Sequence, residues 1–391
     1  MSAPFPVIDV RHLGDARQRG HAIGQATRER IARSLSTYAH LFALAGVSWA
    51  QACERARRYR DVIGALDASL VEEIDGLAEG CGQAREALLA LNCRSEILPP
   101  NYFSGQTLAS EGALAANRAA GVAGWAGANG LPEDLSECTA ISVAARASAN
   151  GHAWMAQNWD WIGRQRGALV ILRLPGTDGG DVRTLTEAGM LAKIGLNDAG
   201  FALGLNILRS PRDGAQPGVP VHVLLRHLLD RCASLADLRE RLARLATSLG
   251  FAAASNVPCA DAAGHAASFE VAPAGWAELA PDAEGVALHT NHFLCESLLA
   301  EQSPMANVLS SGPRLTTARA HQGHGPWDRE RLMALLRDES DGYLSICRAG
   351  DPALPPEARV ESVAGVIIDA TARRWWIAPD LPSRAEFAAV D

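Results

Sequence analysis

Three observations predict an α+β fold. Residues 20–95 read as helices, the chain from Thr139 onward reads mainly as strands separated by turn residues, and a helix pair interrupts those strands. Helices gathered at one end and hairpin strands at the other describe layers built on antiparallel sheets, not alternating βα units. At 391 residues, with 48% hydrophobic and 20% charged, the chain can bury a large core. No internal repeat is visible.

Each element has its own warrant. Ile31, Leu35, Tyr38 and Phe42 recur at three- and four-residue spacing and share a helix face. Ser48 with Gln51, and Ser69 with Glu72, read as capping boxes opening two more helices. Gly80 and Gly82 suit a helix end. Residues 100–137 are rich in Gly, Ala, Ser and Asn without a clear period, which predicts a long loop, a rarity unless the loop has a function. Asn150-Gly151 between apolar segments predicts a hairpin turn, since both positions tolerate positive φ. Strands follow at 168–174, 182–187 and 201–207, helices at 219–232 and 234–246, then strands at 251–256, 265–271 and 286–289. Pro326 suits the first turn of a helix reaching Leu336, and 363–370 with 375–378 form a closing hairpin.

Composition excludes several classes of function. The formal charge is −8 with no long basic run, which argues against a nucleic-acid partner. No apolar run is long enough to span a bilayer, and the opening Met1-Ser2-Ala3-Pro4-Phe5 lacks the pattern of a signal peptide. Eight cysteines without a CxxC pair describe neither a disulfide framework nor a zinc site. A cytoplasmic, reducing location is the expectation, with no membrane partner. There is no P-loop and no dinucleotide fingerprint. The basic residues are almost all Arg, as compositional bias would give, yet one lysine, Lys193, remains.

The chemistry centres on Cys138, in Ser136-Glu137-Cys138-Thr139-Ala140, where the long loop meets an apolar run. Gln157-Asn158-Trp159-Asp160-Trp161 and His289-Thr290-Asn291-His292-Phe293 follow. A lone Cys is ordinarily a small buried hydrophobe, Asp160 an ordinary turn residue and Asn291 an ordinary turn Asn. Together they suggest a cysteine that becomes a chain terminus, whose freed α-amino group then serves as base for the thiol. His289 and His292, three apart in a strand-like context, point to different faces and do not read as a metal site.

Further motifs carry a resemblance. They are Glu72-Glu73-Ile74-Asp75-Gly76-Leu77-Ala78-Glu79-Gly80, Leu91-Asn92-Cys93-Arg94-Ser95-Glu96, Glu187-Ala188-Gly189, Lys193-Ile194-Gly195-Leu196-Asn197-Asp198-Ala199-Gly200 and Ser345-Ile346-Cys347-Arg348. In this order, with the Cys138 constellation, they resemble the acyl-coenzyme A:6-aminopenicillanic acid acyltransferase family. That family, also called the C45 peptidases, belongs to the N-terminal nucleophile hydrolases.

The resemblance implies a four-layer αββα sandwich that cuts itself between Glu137 and Cys138. Residues 1–137 would form a mostly helical small chain ending in a loop. Residues 138–391 would form the catalytic large chain, the two remaining one folded unit. It implies catalytic roles for Cys138, Asp160 (orienting the amino terminus), Asn291 (oxyanion donor) and Arg348 (holding a substrate carboxylate or Asp160), where the bland reading of Arg348 is a surface residue. Asn158, Trp159, Lys193, Asn197, His289 and His292 would bind substrate or support the site, and no metal is implied. Asn92, Arg94 and Glu96 would knit the small chain to the large one, with Cys93 structural. Glu137 departs from the small residue common at its position, which bears on the rate of maturation.

The implied function is an acyltransferase or amidohydrolase working through an acyl-Cys138 thioester on a small N-acyl or acyl-thioester substrate. It needs no cofactor, and a coenzyme A thioester as acyl donor is left open. The alternative is an uncut, non-catalytic binding scaffold of the same fold.

Overall fold

The computed structural model describes residues 4–98, 107–121, 137–178, 180–303, 310–354 and 359–390. The first part of the chain is helical: α1 (Ala16–Ala26), α2 (Arg28–Leu44), α3 (Trp49–Arg57), α4 (Arg60–Leu66), α5 (Ala68–Cys81), α6 (Arg85–Asn92), α7 (Arg94–Ile97) and α8 (Thr107–Ala119), preceded by a short strand β1 (Val7–Asp9). Then come β2 (Glu137–Val143), β3 (Trp154–Ile162), β4 (Leu169–Leu174), β5 (Val182–Glu187), β6 (Ile194–Asn197), β7 (Ala202–Leu203) and β8 (Asn206–Ile207). Helices α9 (Val221–Arg231) and α10 (Leu235–Ser248) lead to β9 (Ser255–Ala260), β10 (Ala266–Ala272), β11 (Gly275–Leu279) and β12 (Val286–His289). Helices α11 (Ser311–Ala320) and α12 (Arg329–Leu336) precede β13 (Val360–Asp369), β14 (Arg374–Ala378) and β15 (Ala388–Val390).

Two sheets form. One has nine strands in the order β1-β4-β5-β6-β7-β9-β10-β11, with β8 also paired to β9; the other has six in the order β12-β2-β3-β13-β14-β15. All pairs between named strands are antiparallel except β1 with β4. The sheets face each other through β2, β3 and β12 on one side and β8, β9 and β10 on the other. Helices α9 and α10 cover the nine-stranded sheet, and α11 and α12 cover the six-stranded one. The order of layers is αββα, as the resemblance implied. Strand β3 is buried along its whole length because it is covered on both faces. Among the described residues no helix is long and apolar enough to cross a membrane.

Several local signals are realised as expected. The Ser48/Gln51 capping box opens α3, and Gly82 closes α5 in the left-handed region at φ 71°. Ile31, Tyr38 and Phe42 are buried on one face of α2, with Leu35 packed at its edge.

Others are corrected. Asp67, not Ser69, caps α5: its carboxylate accepts from the Ser69 N–H at 2.9 Å and so displaces the box by two residues. Gly80 lies inside α5. This helix meets α1 so closely that a Cβ on Gly20 or Gly76 would stand 2.0 or 2.1 Å from a backbone oxygen of the other helix. The stretch read as a loop contains α8, which Asn117 fastens by donating to Ala39 O at 3.1 Å and accepting from the Trp49 N–H at 2.8 Å. The rest of that stretch lies outside the described residues. Strands β2 and β3 are joined through a 3-10 turn and a wider loop rather than a two-residue hairpin, and only Gly151 has positive φ. Pro326 precedes α12, whose cap is Asp328. Residues 201–207 break into two short strands, β7 and β8, on either side of Gly204.

Candidate active site

Cys138 is the second residue of β2, a strand flanked by β12 and β3 in the middle of the layers. Register sets its neighbours: Glu137 pairs with Asp160, Cys138 with Trp159, and Ala140 with His289. Asn291 follows the end of β12, so strand pairing delivers it to the start of β2. The Cys138 N–H donates to Asn291 Oδ1 at 2.8 Å. The carbonyl of Cys138 accepts from Arg314 Nη1 at 2.7 Å and from Asn206 Nδ2 at 3.0 Å. Both sides of this one residue are thus gripped by side chains from three separate elements.

The orientation of the Asn291 amide follows from its partners. Its Oδ1 also accepts from Arg314 Nη2 at 2.9 Å, and its Nδ2 donates to Ile207 O at 2.9 Å. Two donors on one atom and an acceptor on the other leave a single assignment. The sequence expectation of a pure oxyanion donor is therefore refined. The oxygen holds the amide that would become the α-amine, and the NH₂ group, which carries two hydrogens, commits one of them to Ile207.

Asp160 is 1% exposed and accepts from Ser362 Oγ at 2.6 Å, while its Oδ2 has no hydrogen-bond partner among the described residues. Burial pushes its carboxyl up to about 7, against the pull of Arg314 and the Ser362 hydrogen bond. Burial likewise pushes the Cys138 thiol up, Lys193 and Arg314 pull it back, and the Asp160 charge adds to the rise. The Asp160 main chain also donates toward the thiol.

Arg348 is buried beside this group. Its N–H donates to Ser362 Oγ at 3.0 Å and its carbonyl accepts from the Ser362 N–H at 2.9 Å, so Ser362 links it to Asp160. Burial lowers its guanidinium to about 10.

The remaining sequence candidates divide into those that reach the site and those that brace it. Lys193 Nζ lies 3.6 Å from the ring centroid of Trp159, the strand partner of Cys138. His289 Nε2 meets Glu270 Oε1 at 2.8 Å and its Nδ1 meets Thr290 O at 2.8 Å; His292 Nδ1 meets Ser311 Oγ at 2.7 Å. The Asn291 N–H also donates to Ser311 Oγ at 2.8 Å, so the two histidines frame the Asn291 turn. Asn158 donates to Leu336 O and Ile346 O, both at 2.8 Å, and tethers β3 to the end of α12. Asn197 donates to Leu229 O at 2.9 Å and Cys232 O at 2.7 Å and ties the β6–β7 turn to the end of α9. Both are anchors rather than members of the thiol's immediate surroundings.

The first 98 residues grip the rest through the residues singled out. Asn92 donates to Gly189 O and accepts from the Leu191 N–H, both at 2.9 Å. Arg94 donates to His222 at 3.1 Å, and Glu96 accepts from the Val221 N–H at 2.8 Å. Cys93 is fully buried.

Sequence reasoning missed Arg314, Ser362 and Asn206. Arg314 is one Arg among many, with nothing in its spacing to distinguish it, and only the fold shows that it is fully buried against Cys138.

A two-sheet α+β architecture with a thiol, a carboxylate, an amide and a guanidinium converging at one strand end is thus the setting of the candidate site. Residues 147–384 match the family model described as acyl-coenzyme A:6-aminopenicillanic acid acyl-transferase, and the chain belongs to this family. The matched segment holds Asp160, Lys193, Asn291, Arg314 and Arg348; Cys138 precedes it. A curated relative is the acyl-coenzyme A:6-aminopenicillanic-acid-acyltransferase 40 kDa form of Emericella nidulans, 28% identical over 285 residues. The alignment covers 71% of this chain and 66% of the relative, so the chain spans a little under two thirds of that protein's length. Similar solved structures include penicillin V acylase from Agrobacterium tumefaciens, at 14% identity and a TM-score of 0.46, covering 65% of this chain and 86% of that one. Another is a variant of conjugated bile acid hydrolase from Clostridium perfringens, at 10% identity and a TM-score of 0.45, covering 65% of this chain and 97% of that one.

Proposed function

We propose that the protein is a self-processing cysteine enzyme that transfers or hydrolyses acyl groups through an acyl-Cys138 thioester. One observation carries this reading. The backbone nitrogen of Cys138, the atom that cleavage would turn into an α-amine, already sits in an acceptor formed by Asn291 Oδ1, with the Asp160 carboxyl beside the same residue.

Maturation begins with attack of Cys138 Sγ on the Glu137 carbonyl carbon. The C–S bond forms, the C–N bond breaks, and the nitrogen takes the proton released by the thiol. Water then hydrolyses this thioester, leaving a Glu137 carboxylate and a free α-amino group on Cys138. An α-amine ordinarily titrates at about 7.7–8.0, close to a thiol's usual range, so it can accept the thiol proton at small cost.

In turnover the thiolate attacks the acyl carbon of the substrate, and the α-ammonium returns the proton to the departing amine or thiol. Water or an acceptor amine then takes the acyl group. Negative charge on the tetrahedral oxygen is met by the remaining Nδ2 hydrogen of Asn291, and a fixed donor of this kind is worth about 2.7–4 kcal/mol. Asp160, hydrogen-bonded to Ser362, holds the α-ammonium. Arg348 holds a carboxylate of the substrate. The substrate is a small N-acyl compound or an acyl thioester, coenzyme A thioesters included, and the cytoplasm is the location this reading carries with it.

Intact mass spectrometry of the purified protein tests the reading. Two fragments are expected, one ending at Glu137 and one beginning at Cys138, which stay together in gel filtration. Cys138→Ala should yield one chain without turnover of any acyl substrate. A wild-type chain that remains whole and hydrolyses or transfers acyl groups would overturn it.

A further inference from the structure

Asn291 sits in a turn of one sheet, yet a residue of the facing sheet holds that turn at both ends. Glu270 lies on β10 of the nine-stranded sheet, whereas His289 ends β12 of the six-stranded one. Both side chains are fully buried. Glu270 Oε1 meets His289 Nε2 at 2.8 Å and accepts from the Leu294 N–H at 2.6 Å, while Oε2 accepts from the Cys295 N–H at 3.1 Å. One carboxylate therefore grips the chain just before Asn291 and again just after it.

The hydrogens in these contacts can be counted. His289 Nδ1 lies 2.8 Å from Thr290 O, and a carbonyl only accepts, so that nitrogen carries a hydrogen. The contact between Nε2 and Glu270 needs a second hydrogen. Two backbone N–H groups donate to the same carboxyl group, and such donors favour its ionised form. Burial acts against that charge, but His289 and the two N–H groups outweigh it and hold the carboxyl below its ordinary range. Assigned from its partners, the pair is a carboxylate facing an imidazolium with a hydrogen on each nitrogen. A contact of this kind is about twice as strong as a neutral hydrogen bond.

Helix α11 holds the turn from the other side. The Asn291 N–H donates to Ser311 Oγ at 2.8 Å, and Thr290 Oγ1 donates to Ser311 O at 3.0 Å. Between these fixed points Asn291 Oδ1 meets the Cys138 N–H at 2.8 Å. We propose that Glu270 and His289 form the positioning unit of the site, an ionic tie between the two sheets that keeps the Asn291 amide aimed at Cys138 during self-cleavage and acyl transfer. This rests on the reading of Cys138 as the nucleophile given above. Glu270 and His289 act through Asn291. An apolar pair of the same size could fill the space, but the Leu294 and Cys295 N–H groups would then lose their acceptor.

Histidine labelled with 15N reads the tie in wild type and in the uncut Cys138→Ala chain, with His289→Gln to assign the signal. At neutral pH both ring nitrogens of His289 are expected to bear a hydrogen. A ring with one hydrogen overturns the ionic tie.

Labelled asparagine reads the aim. The side-chain NH₂ signal of Asn291, assigned by its loss in Asn291→Ala, should shift in folded Glu270→Gln, where an amide replaces the carboxylate at the same size. An unmoved signal overturns the positioning role. Self-cleavage, followed by intact mass, should slow by about 10²-fold in Glu270→Gln, because a displacement of about 1 Å can cost that much. Glu270→Gln should slow it no further in an Asn291→Ala background, and equal slowing in both backgrounds would mean that Glu270 does not act through Asn291. Should Glu270→Gln fail to fold, His289→Gln, which leaves the two N–H contacts of Glu270 in place, carries the same test. Failure of the self-processing reading would show differently: no chain, wild type included, would be cut, while the two spectra would still decide the tie and the aim.

Discussion

Two buried ionic clusters differ in whether partner charges or burial set their titration. At the seam between α5 and α9, Glu73 receives Arg226 Nη1 at 2.6 Å and Nη2 at 3.0 Å, and Arg19 Nε at 3.3 Å. Arg226 also donates Nε to Asp230 at 2.9 Å. Burial acts against the Glu73 carboxylate, but the two arginines outweigh it and hold the group below its ordinary range. Asp230, the outer member, is raised by burial to about 6. Around Cys138 the outcome is the reverse: Asp160 rises to about 7 and Lys193 falls to about 7, each driven first by burial. In the first cluster the hydrogen-bonded charges hold two helices together, and the arginines keep Glu73 ionised at neutral pH. Around Cys138 burial outweighs the partner charges, and Asp160 and Lys193 sit near neutral pH.

The largest effect should come from breaking the first cluster. Glu73→Gln leaves Arg226 buried with Asp230 alone, and removing one partner of a buried pair costs about 3–5 kcal/mol. Chemical denaturation should show that loss, while turnover per folded molecule stays near wild type. A loss below about 1 kcal/mol would erase the contrast between the clusters.

Next in size is Asn291→Ala, which should lower kcat by about 10²- to 10³-fold with little change in KM. The structure adds a second consequence. Asn291 Oδ1 also holds the Cys138 N–H and Arg314, so processing should slow as well. If kcat is unchanged, Asn291 is no more than a brace, whatever its effect on melting temperature.

The sequence revealed the site unevenly, for a physical reason. Cys138, Asp160 and Asn291 each stand in a short apolar or aromatic run at a strand end, and the resemblance fixed their order. The contacts of Asn92, Arg94 and Glu96 with later parts of the chain were legible in the same way. Arg314 and Ser362 were not, because they reach Cys138 and Asp160 across 176 and 202 residues of chain. Such convergence depends on strand register and helix placement, and no local period encodes it. Helix α8, rich in Ala and Leu and so favoured by propensity, was hidden by the Gly- and Asn-rich stretch around it, and Asn117 docks it onto α2 and α3. The displaced cap at Asp67 shows the same limit on a smaller scale: two adequate caps lay two residues apart, and spacing alone did not rank them.

The smallest expected effect tests whether Asp160 titrates as its surroundings dictate. Ser362 Oγ donates to Asp160 at 2.6 Å, a hydrogen bond that favours the ionised carboxylate. Ser362→Ala removes it, at a cost of about 1 kcal/mol in stability. With that support gone, burial should carry Asp160 above its present value of about 7. The sign of the pH effect follows. A carboxyl raised above its unfolded value binds extra protons in the folded state between about pH 4 and its folded pKa, so stability falls as pH rises through that window. In Ser362→Ala the fall should extend to higher pH. If the ionised Asp160 is what holds the α-ammonium, the acid limb of the rate profile should move up in pH by a fraction of a unit or more. Equilibrium denaturation and steady-state rates across pH 5–9 read both effects on one preparation. An acid limb that stays in place would mean that Asp160 does not set it, and the near-neutral character assigned to the Cys138 cluster would then rest on Lys193 alone.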